Sequence, residues 1–92
     1  MEVLNGSGRR GLARAATRVL RQAGFDVVYF GNVSPTVATT HALARRGDSA
    51  AAARVARALG AREVRVATDT LLRVDVTVVL GGDYRPPPGL RP

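Results

Sequence analysis

The residues with the clearest chemical potential form a glycine-rich loop near the N-terminus, within the stretch VLNGSGRRGLA. Gly6, Gly8 and Gly11 match the G-x-G-x-x-G spacing, which in nucleotide-binding folds brings backbone N–H groups close to a phosphate at a helix N-terminus. Two adjacent arginines add positive charge to the same loop. The pattern predicts an anion-binding corner, and its candidate residues are Asn5, Gly6, Ser7, Gly8, Arg9 and Arg10.

A tight turn explains the same glycines without a ligand, and a dinucleotide is the least favoured ligand. Dinucleotide-binding folds carry an acidic residue at the end of the second strand, about 20 positions after the glycines. Here that strand is predicted over residues 25–30, and its only acid, Asp26, stands near the start. The chain also lacks the repeated strand–helix units of a full dinucleotide-binding sheet. The remaining interpretations are a close-packed turn at Gly11 and a site for a non-nucleotide anion.

The other polar residues do not form a catalytic set. His41 is the only histidine and there is no cysteine, so neither a Cys/His metal site nor a thiol nucleophile is predicted. We interpret His41 as a partly exposed strand residue, since a general base also needs a nucleophile and an orienting group. Asp83 follows a Gly-Gly turn at a strand end, but one carboxylate does not make a mechanism. The sequence predicts no enzyme activity, no metal and no cofactor.

The charge favours anionic partners. The chain has 92 residues and a net charge of +7, and all of its 14 basic residues are arginine. Nucleic acid is not the favoured partner, because aromatic residues are few and no nucleic-acid-binding motif is found. The length fits one domain, and no apolar run approaches the ~20 residues of a membrane-spanning helix. We therefore expect a single soluble domain.

The first half of the chain predicts a helix followed by a strand. Apolar residues recur at helical spacing over residues 12–23, with Ser7 as an N-terminal cap and Gly24 as the stop. Residues 25–30 are β-branched and aromatic, which predicts a central strand covered on both faces. Residues 37–46 predict a further strand beside it, with a helix as the alternative.

The second half of the chain predicts a helix followed by two strands. Asp48 can cap a second helix over residues 49–59, and strands are predicted over residues 63–67 and 74–80. The order β-α-β-β-α-β-β predicts an α+β two-layer sandwich within residues 1–84. It contains a mixed sheet of four or five strands with two helices on one face, a ferredoxin-like or SPOR-like arrangement. The proline-rich tail, residues 85–92, is predicted to be extended or disordered.

Four segments of the chain carry a family resemblance. They are VLNGSGRRGLA at the front, GFDVV at residues 24–28, GDSAAA at residues 47–52 and DVTVVLGGDY near the end. The most specific are the first and the last, which fit N-G-[ST]-G-x-x-G-L-A and D-V-T-V-V-L-G-x-D-[YF]. Together they span the chain from Val3 to Tyr84. In these motifs the sequence resembles the LytR C-terminal domain family, a module of bacterial LytR-CpsA-Psr cell-envelope proteins.

The resemblance implies an extracytoplasmic module of a membrane-anchored protein concerned with cell-wall assembly. It implies no transferase activity, because the separate catalytic domain of such proteins is not in this sequence, and it implies membrane attachment only through the parent protein's anchor. The expected function is binding or scaffolding at peptidoglycan or a phosphate-bearing wall polymer. The alternatives are a protein-interaction module, forming a homodimer through an exposed edge strand at residues 37–44, and a nucleic-acid-binding domain.

Overall fold

Within residues 1–87, seven helices and strands follow one another in the order that the sequence predicts. The computed structural model describes residues 1–87. Its elements are β1 (Glu2–Asn5), α1 (Leu12–Gln22), β2 (Tyr29–Asn32), β3 (His41–Ala44), α2 (Ser49–Ala58), β4 (Glu63–Val66) and β5 (Val76–Leu80). The strands form one mixed sheet in the order β2-β1-β5-β3-β4. The predicted α+β architecture, a mixed sheet of four or five strands with two helices, is confirmed, and the sheet has five strands.

Two βαβ units lie on either side of β5. In each unit the two strands are direct neighbours and run parallel, β1 with β2 and β3 with β4. The last strand, β5, pairs parallel with β1 and antiparallel with β3. Because βαβ crossovers are right-handed and the two units run in opposite directions, both helices lie on one face of the sheet, where they contact each other.

The core lies between the sheet and the helices. The central strand β5 is buried along its whole length, and Val78 and Leu80 pack in one cluster with Leu20 of α1 and Val55 of α2. Complete burial of each such side chain stabilises the fold by about 1.5–3 kcal/mol. Small residues, Ala16 among them, complete the helix faces that approach the sheet.

The ends of the helices are only partly as predicted. Gly24 ends α1 in a left-handed conformation with φ 93°, and Asp48 caps α2 by accepting a hydrogen bond from the N–H of Ala51 at 3.0 Å. The prediction for the start of α1 is wrong. Its N-cap residue is Gly11, with φ 82° and no side-chain cap, and Ser7 lies in the preceding loop.

The second strand differs most from the prediction. It begins at Tyr29 and lies at the outer edge of the sheet, where Tyr29 is 57% and Phe30 39% exposed. The preceding residues form a connection instead, in which Val27 is buried and the N–H of Phe25 donates to the carbonyl of Leu20 at 2.9 Å. The apolar composition therefore reflects an anchored connection and an exposed edge, and the doubly covered central strand is β5.

The strand predicted over residues 37–46 exists, but its position corrects two expectations. It lies between β5 and β4, so it is neither beside the second strand nor at an exposed edge. Its first residue, His41, is 7% exposed and therefore buried, where partial exposure was expected.

The remaining elements follow the predictions closely. The strands predicted over residues 63–67 and 74–80 are confirmed as β4 and β5. Arg85 to Pro87 form neither helix nor strand, and the rest of the predicted tail, residues 88–92, lies outside the described residues. Within residues 1–87, neither helix is long and apolar enough to cross a membrane.

Candidate functional site

The predicted anion-binding loop is shaped by its own side chains. The amide of Asn5 is buried, and its Oδ1 accepts hydrogen bonds from the N–H of Ser7 at 3.0 Å and from Ser7 Oγ at 2.5 Å. Its Nδ2 donates to the carbonyl of Arg9 at 2.6 Å. The N–H of Arg9 donates in turn to Ser7 Oγ at 3.0 Å. These hydrogen bonds hold the loop in its folded shape.

The two glycines of this loop also have structural roles. The N–H of Gly6 donates to the carbonyl of Leu80 at 2.9 Å, and its carbonyl accepts from the N–H of Val37 at 2.8 Å. The carbonyl of Val37 accepts from the N–H of Gly82 at 2.9 Å, so the loop is joined to two distant segments. Gly8 adopts φ 77°, a conformation that glycine takes without steric cost.

Arg9 fastens the loop to the motif that closes the domain. Its Nη2 donates to the carbonyl of Gly82 at 3.2 Å and to the carbonyl of Tyr84. The Tyr84 side chain is 3% exposed, and burial raises the pKa of its phenol. We call the contact set of Asn5, Ser7, Arg9, Gly82 and Tyr84 the loop lock. It unites the two most specific sequence motifs in one structural feature.

Asp83 is an anchor within the same closing motif. Its Oδ1 accepts hydrogen bonds from the N–H of Thr40 at 2.8 Å and from Thr40 Oγ1 at 2.7 Å. The hydroxyl bond from Thr40 is the main reason that the pKa of Asp83 is lowered, and partial burial opposes it. Gly81 is required at the adjacent turn, because a Cβ there would lie 2.5 Å from the carbonyl carbon of Thr39. Asp83 therefore holds the start of β3.

His41 is similarly engaged with the backbone. Its Nδ1 lies 2.9 Å from the carbonyl oxygen of Thr39. In the part of the chain that the structure describes, no three acidic or histidine side chains converge to hold a metal ion.

Arg10 is the predicted site residue that faces a cleft away from the loop lock. The cleft lies between the N-terminus of α1 and the edge strand β2 and has a volume of about 630 Å³. We call it the α1–β2 cleft, and its lining residues are Arg10, Gly11, Ala13, Arg14, Phe30, Gly31 and Asn32. Past Arg10 and Asn32 it adjoins a second depression of about 310 Å³ above the glycine loop.

Two arginines, Arg10 and Arg14, give the lining of the cleft a positive formal charge. Arg10 and Arg14 are exposed; Arg10 lies just before the N-cap residue Gly11, and Arg14 lies in the first turn of α1. Within residues 1–87, the ion pairs join Arg65 to Glu63 at 2.6 Å and the N-terminal amine to Asp75 at 4.0 Å. Arg10 and Arg14 therefore have no carboxylate partner among these residues.

The start of α1 adds to this field. The helix begins at Gly11 without a side-chain cap, and its first turn contains no acidic residue. The positive end of the helix dipole is therefore not neutralised by a neighbouring side chain. Arg10, Arg14 and the helix end can act together on an anionic group.

The predicted site did not include the polar and aromatic side chains of this cleft other than Arg10, namely Arg14, Phe30 and Asn32. Arg14 could have been found, since it follows Arg10 by four residues and lies on the polar side of the predicted helix. Phe30 was hidden because the strand that carries it was predicted to be central. Of the predicted corner, Arg10 lines the α1–β2 cleft, and Asn5, Gly8, Arg9 and Arg10 line the adjoining depression.

Comparison with known proteins agrees with the motifs. The chain matches the family described as LytR cell envelope-related transcriptional attenuator over residues 1–84. A search of the curated proteins found no match. Among solved structures, the solution structure of the C-terminal domain of Rv0431 is similar, with 36% sequence identity and a TM-score of 0.53. That similarity covers 88% of this chain and 70% of the other. The chain therefore belongs to the LytR C-terminal domain family of cell-envelope proteins.

Proposed function

We propose that this domain is a non-catalytic, extracytoplasmic accessory module whose α1–β2 cleft binds an acidic polymer of the cell wall. Membership of a cell-envelope family supports the location. One observation supports the ligand class above all others. Two arginines that have no ion-pair partner within residues 1–87 line a cleft at the uncapped N-terminus of α1.

The lining of the cleft suits a repeating unit that combines charge with an apolar surface. A guanidinium group can bind a phosphate or carboxylate through two parallel hydrogen bonds. Phe30 offers a partly exposed ring, and Asn32 offers an amide that can donate to or accept from a hydroxyl group. The volume of about 630 Å³ falls within the ~300–1,000 Å³ that is usual for sites of small ligands.

A non-catalytic role is supported by what the polar side chains do. Asp83 accepts two hydrogen bonds from Thr40, and His41 contacts a backbone carbonyl. Both residues therefore hold the fold at the start of β3. The cleft itself is lined by arginine, asparagine and apolar groups, which are suited to binding an anion and carry no carboxylate for acid–base work.

The proposal is tested by amide chemical-shift titration of the domain with a phosphate-bearing wall polymer. Soluble peptidoglycan fragments and duplex DNA serve as comparison ligands. We expect saturable shifts at Gly11, Arg14, Gly31 and Asn32 that persist at physiological ionic strength, where the Debye length is about 8 Å. Shifts spread over both helices that vanish with salt would contradict a defined site, and tighter binding of DNA would favour the nucleic-acid alternative.

A further inference from the structure

The α1–β2 cleft continues into the depression above the glycine loop. That depression has a volume of about 310 Å³, and its lining residues are Asn5, Gly8, Arg9, Arg10, Gly11, Asn32, Val33 and Thr36. Arg10, Gly11 and Asn32 line both the depression and the cleft. The two therefore form one continuous groove, which we call the basic groove.

The basic groove is longer than one anionic group. One wall follows β2 and the residue after it, from Phe30 in the cleft through Asn32 to Val33 in the depression. Because a strand rises about 3.3 Å per residue, this wall is about 10 Å long. The opposite wall runs from Arg14 in the cleft back to Gly8 above the glycine loop. A water molecule takes up about 30 Å³ of the liquid, so a single phosphate group leaves most of the groove unfilled.

Both ends of the basic groove carry positive charge. Arg14 lines the cleft, Arg9 lines the depression and Arg10 lines both, and all three residues are exposed. Within residues 1–87, neither lining contains an acidic residue. A third depression, at the C-terminus of α2, differs because Asp83 lies in its lining together with Arg85. Positive charge without an acidic residue in the lining therefore characterises the groove and not every depression of the surface.

Arg9 can serve the loop lock and a ligand at the same time. The hydrogen bonds that its guanidinium group donates within residues 1–87 both come from Nη2, to the carbonyls of Gly82 and Tyr84. A guanidinium group carries its N–H donors in a fixed planar fork, so the N–H groups on Nε and Nη1 remain for an anion. The loop lock also holds Arg9 in place, which reduces the entropy that the side chain loses when an anion binds.

We propose that the basic groove has two anion subsites, one at Arg14 in the cleft and one at Arg9 in the depression, with Arg10 between them. The ligand class is then a linear polymer with an anionic group in each repeat, of which two groups are bound at once. This inference rests on the proposed function, which requires only one anionic group in the cleft. The first bound group holds the second at a high effective concentration, so linked groups bind more tightly than separate ones.

Short oligomers test the number of subsites. The probes are glycerol phosphate and its phosphodiester-linked oligomers of three and six units, titrated calorimetrically into the whole chain. From one unit to three, we expect the affinity to rise by about 10-fold or more, and from three units to six by less than about 3-fold. A rise of less than about 3-fold at the first step would overturn the inference, because the larger number of binding positions on a longer oligomer accounts for that much.

Variants at the two ends of the basic groove show where the gain arises. Arg14→Ala removes a cation from the cleft, and Thr36→Glu adds a carboxylate to the depression, where Thr36 lies beside Gly8. In each variant we expect the ratio of three-unit to one-unit affinity to fall below about 3-fold. Thr70→Glu is the matched control for Thr36→Glu, since Thr70 is exposed, lines neither end of the groove and receives the same charge. It should keep the ratio of the parent chain, and equal ratios in the two glutamate variants would overturn the subsite in the depression.

Amide chemical shifts identify the subsite that remains in each variant. With the one-unit probe, we expect shifts in Arg14→Ala to centre on Gly8 and Thr36, which line the depression. In Thr36→Glu they should centre on Arg14 and Gly31, which line the cleft. The same pattern of shifts in both variants would contradict two separate subsites.

The outcomes distinguish the two proposals. A parent chain that binds the polymer in the cleft but gains less than about 3-fold from one unit to three would overturn the two-subsite inference, while the proposed function would stand. A parent chain that binds neither the polymer nor the oligomers would overturn both.

Discussion

The two βαβ units hold the N-terminus of their helix in different ways. In the second unit, a short connection leads from β3 to α2, and one side chain, Asp48, caps the helix locally. In the first unit, a longer glycine-rich connection leads to Gly11, and α1 has no side-chain cap. Its loop is held by distant residues, including Val37 and Leu80. The second unit is locally complete, whereas the first leaves a positive helix end beside two arginines.

In a fold built from two similar units, a helix N-terminus that lacks a side-chain cap is a place where a binding function can arise. A capped helix start has its N–H groups satisfied within the protein. A helix N-terminus that has no side-chain cap and is positioned by a rigid loop retains its partial positive charge, which can interact with a ligand. The loop lock supplies that rigidity. This explains why its residues belong to the two most specific family motifs although they do not line the α1–β2 cleft.

The largest expected difference between the two units is the loss of stability when Asn5, the centre of the loop lock, is replaced. In Asn5→Ala, three hydrogen bonds are lost and the N–H of Ser7 is left unpaired, so we expect the free energy of unfolding to fall by about 3 kcal/mol. In the second unit, Asp48→Ala removes one cap and should cost about 1 kcal/mol. Chemical denaturation measures both. Equal losses would show that the two units are not held differently.

The adjacent arginines provide a sharper test, because their replacement changes the charge equally. Arg9→Ala removes the donors to the carbonyls of Gly82 and Tyr84 and should lower the free energy of unfolding by about 1–2 kcal/mol. Arg10→Ala should change it by less than about 0.5 kcal/mol, since its side chain faces the cleft. A larger loss for Arg10→Ala would contradict the division between structural and ligand-facing arginines.

The closing motif gives a smaller, pH-dependent effect. Because the Thr40 hydroxyl lowers the pKa of Asp83 in the folded state, the stabilisation is present above the ordinary carboxyl pKa and is lost as the pH falls through the folded value. We therefore expect stability to decline below about pH 4, and Asp83→Asn should reduce that decline. Asp26→Asn, at an exposed carboxylate, is the control. Identical acid profiles for Asp83→Asn and the parent chain would contradict the assignment.

Local signals made most of the fold predictable. The apolar period of α1, the Asp48 cap and the valines of β5 each depend on neighbours in sequence, and each is confirmed. The placement of β2 was not predictable in this way. Residues 25–30 have the composition of a buried strand, but whether a strand is central or at an edge is decided by the order of pairing. That order depends on β5, which lies far away in the sequence.

The candidate site was predictable to the same extent. The glycine spacing located the loop and Arg10, yet it did not show that Asn5, Ser7 and Arg9 bond to one another and to Gly82. The contacts of Arg9 with Gly82 and Tyr84 join segments more than 70 residues apart, which a local pattern does not report. The cleft residue Phe30 was missed for the same reason, since its exposure follows from the edge position of β2.

The measurement that tests the central claim most directly compares two double variants of equal charge. Arg10→Ala/Arg14→Ala alters the α1–β2 cleft, and Arg54→Ala/Arg57→Ala alters exposed residues of α2; each lowers the net charge from +7 to +5, since 7 − 2 = 5. Calorimetric titration with the phosphate-bearing polymer should show the first variant weakened by about 10-fold or more, about 1.4 kcal/mol, and the second by less than about 3-fold. Equal weakening of both would mean that net charge alone binds the polymer, and the cleft would not be its site.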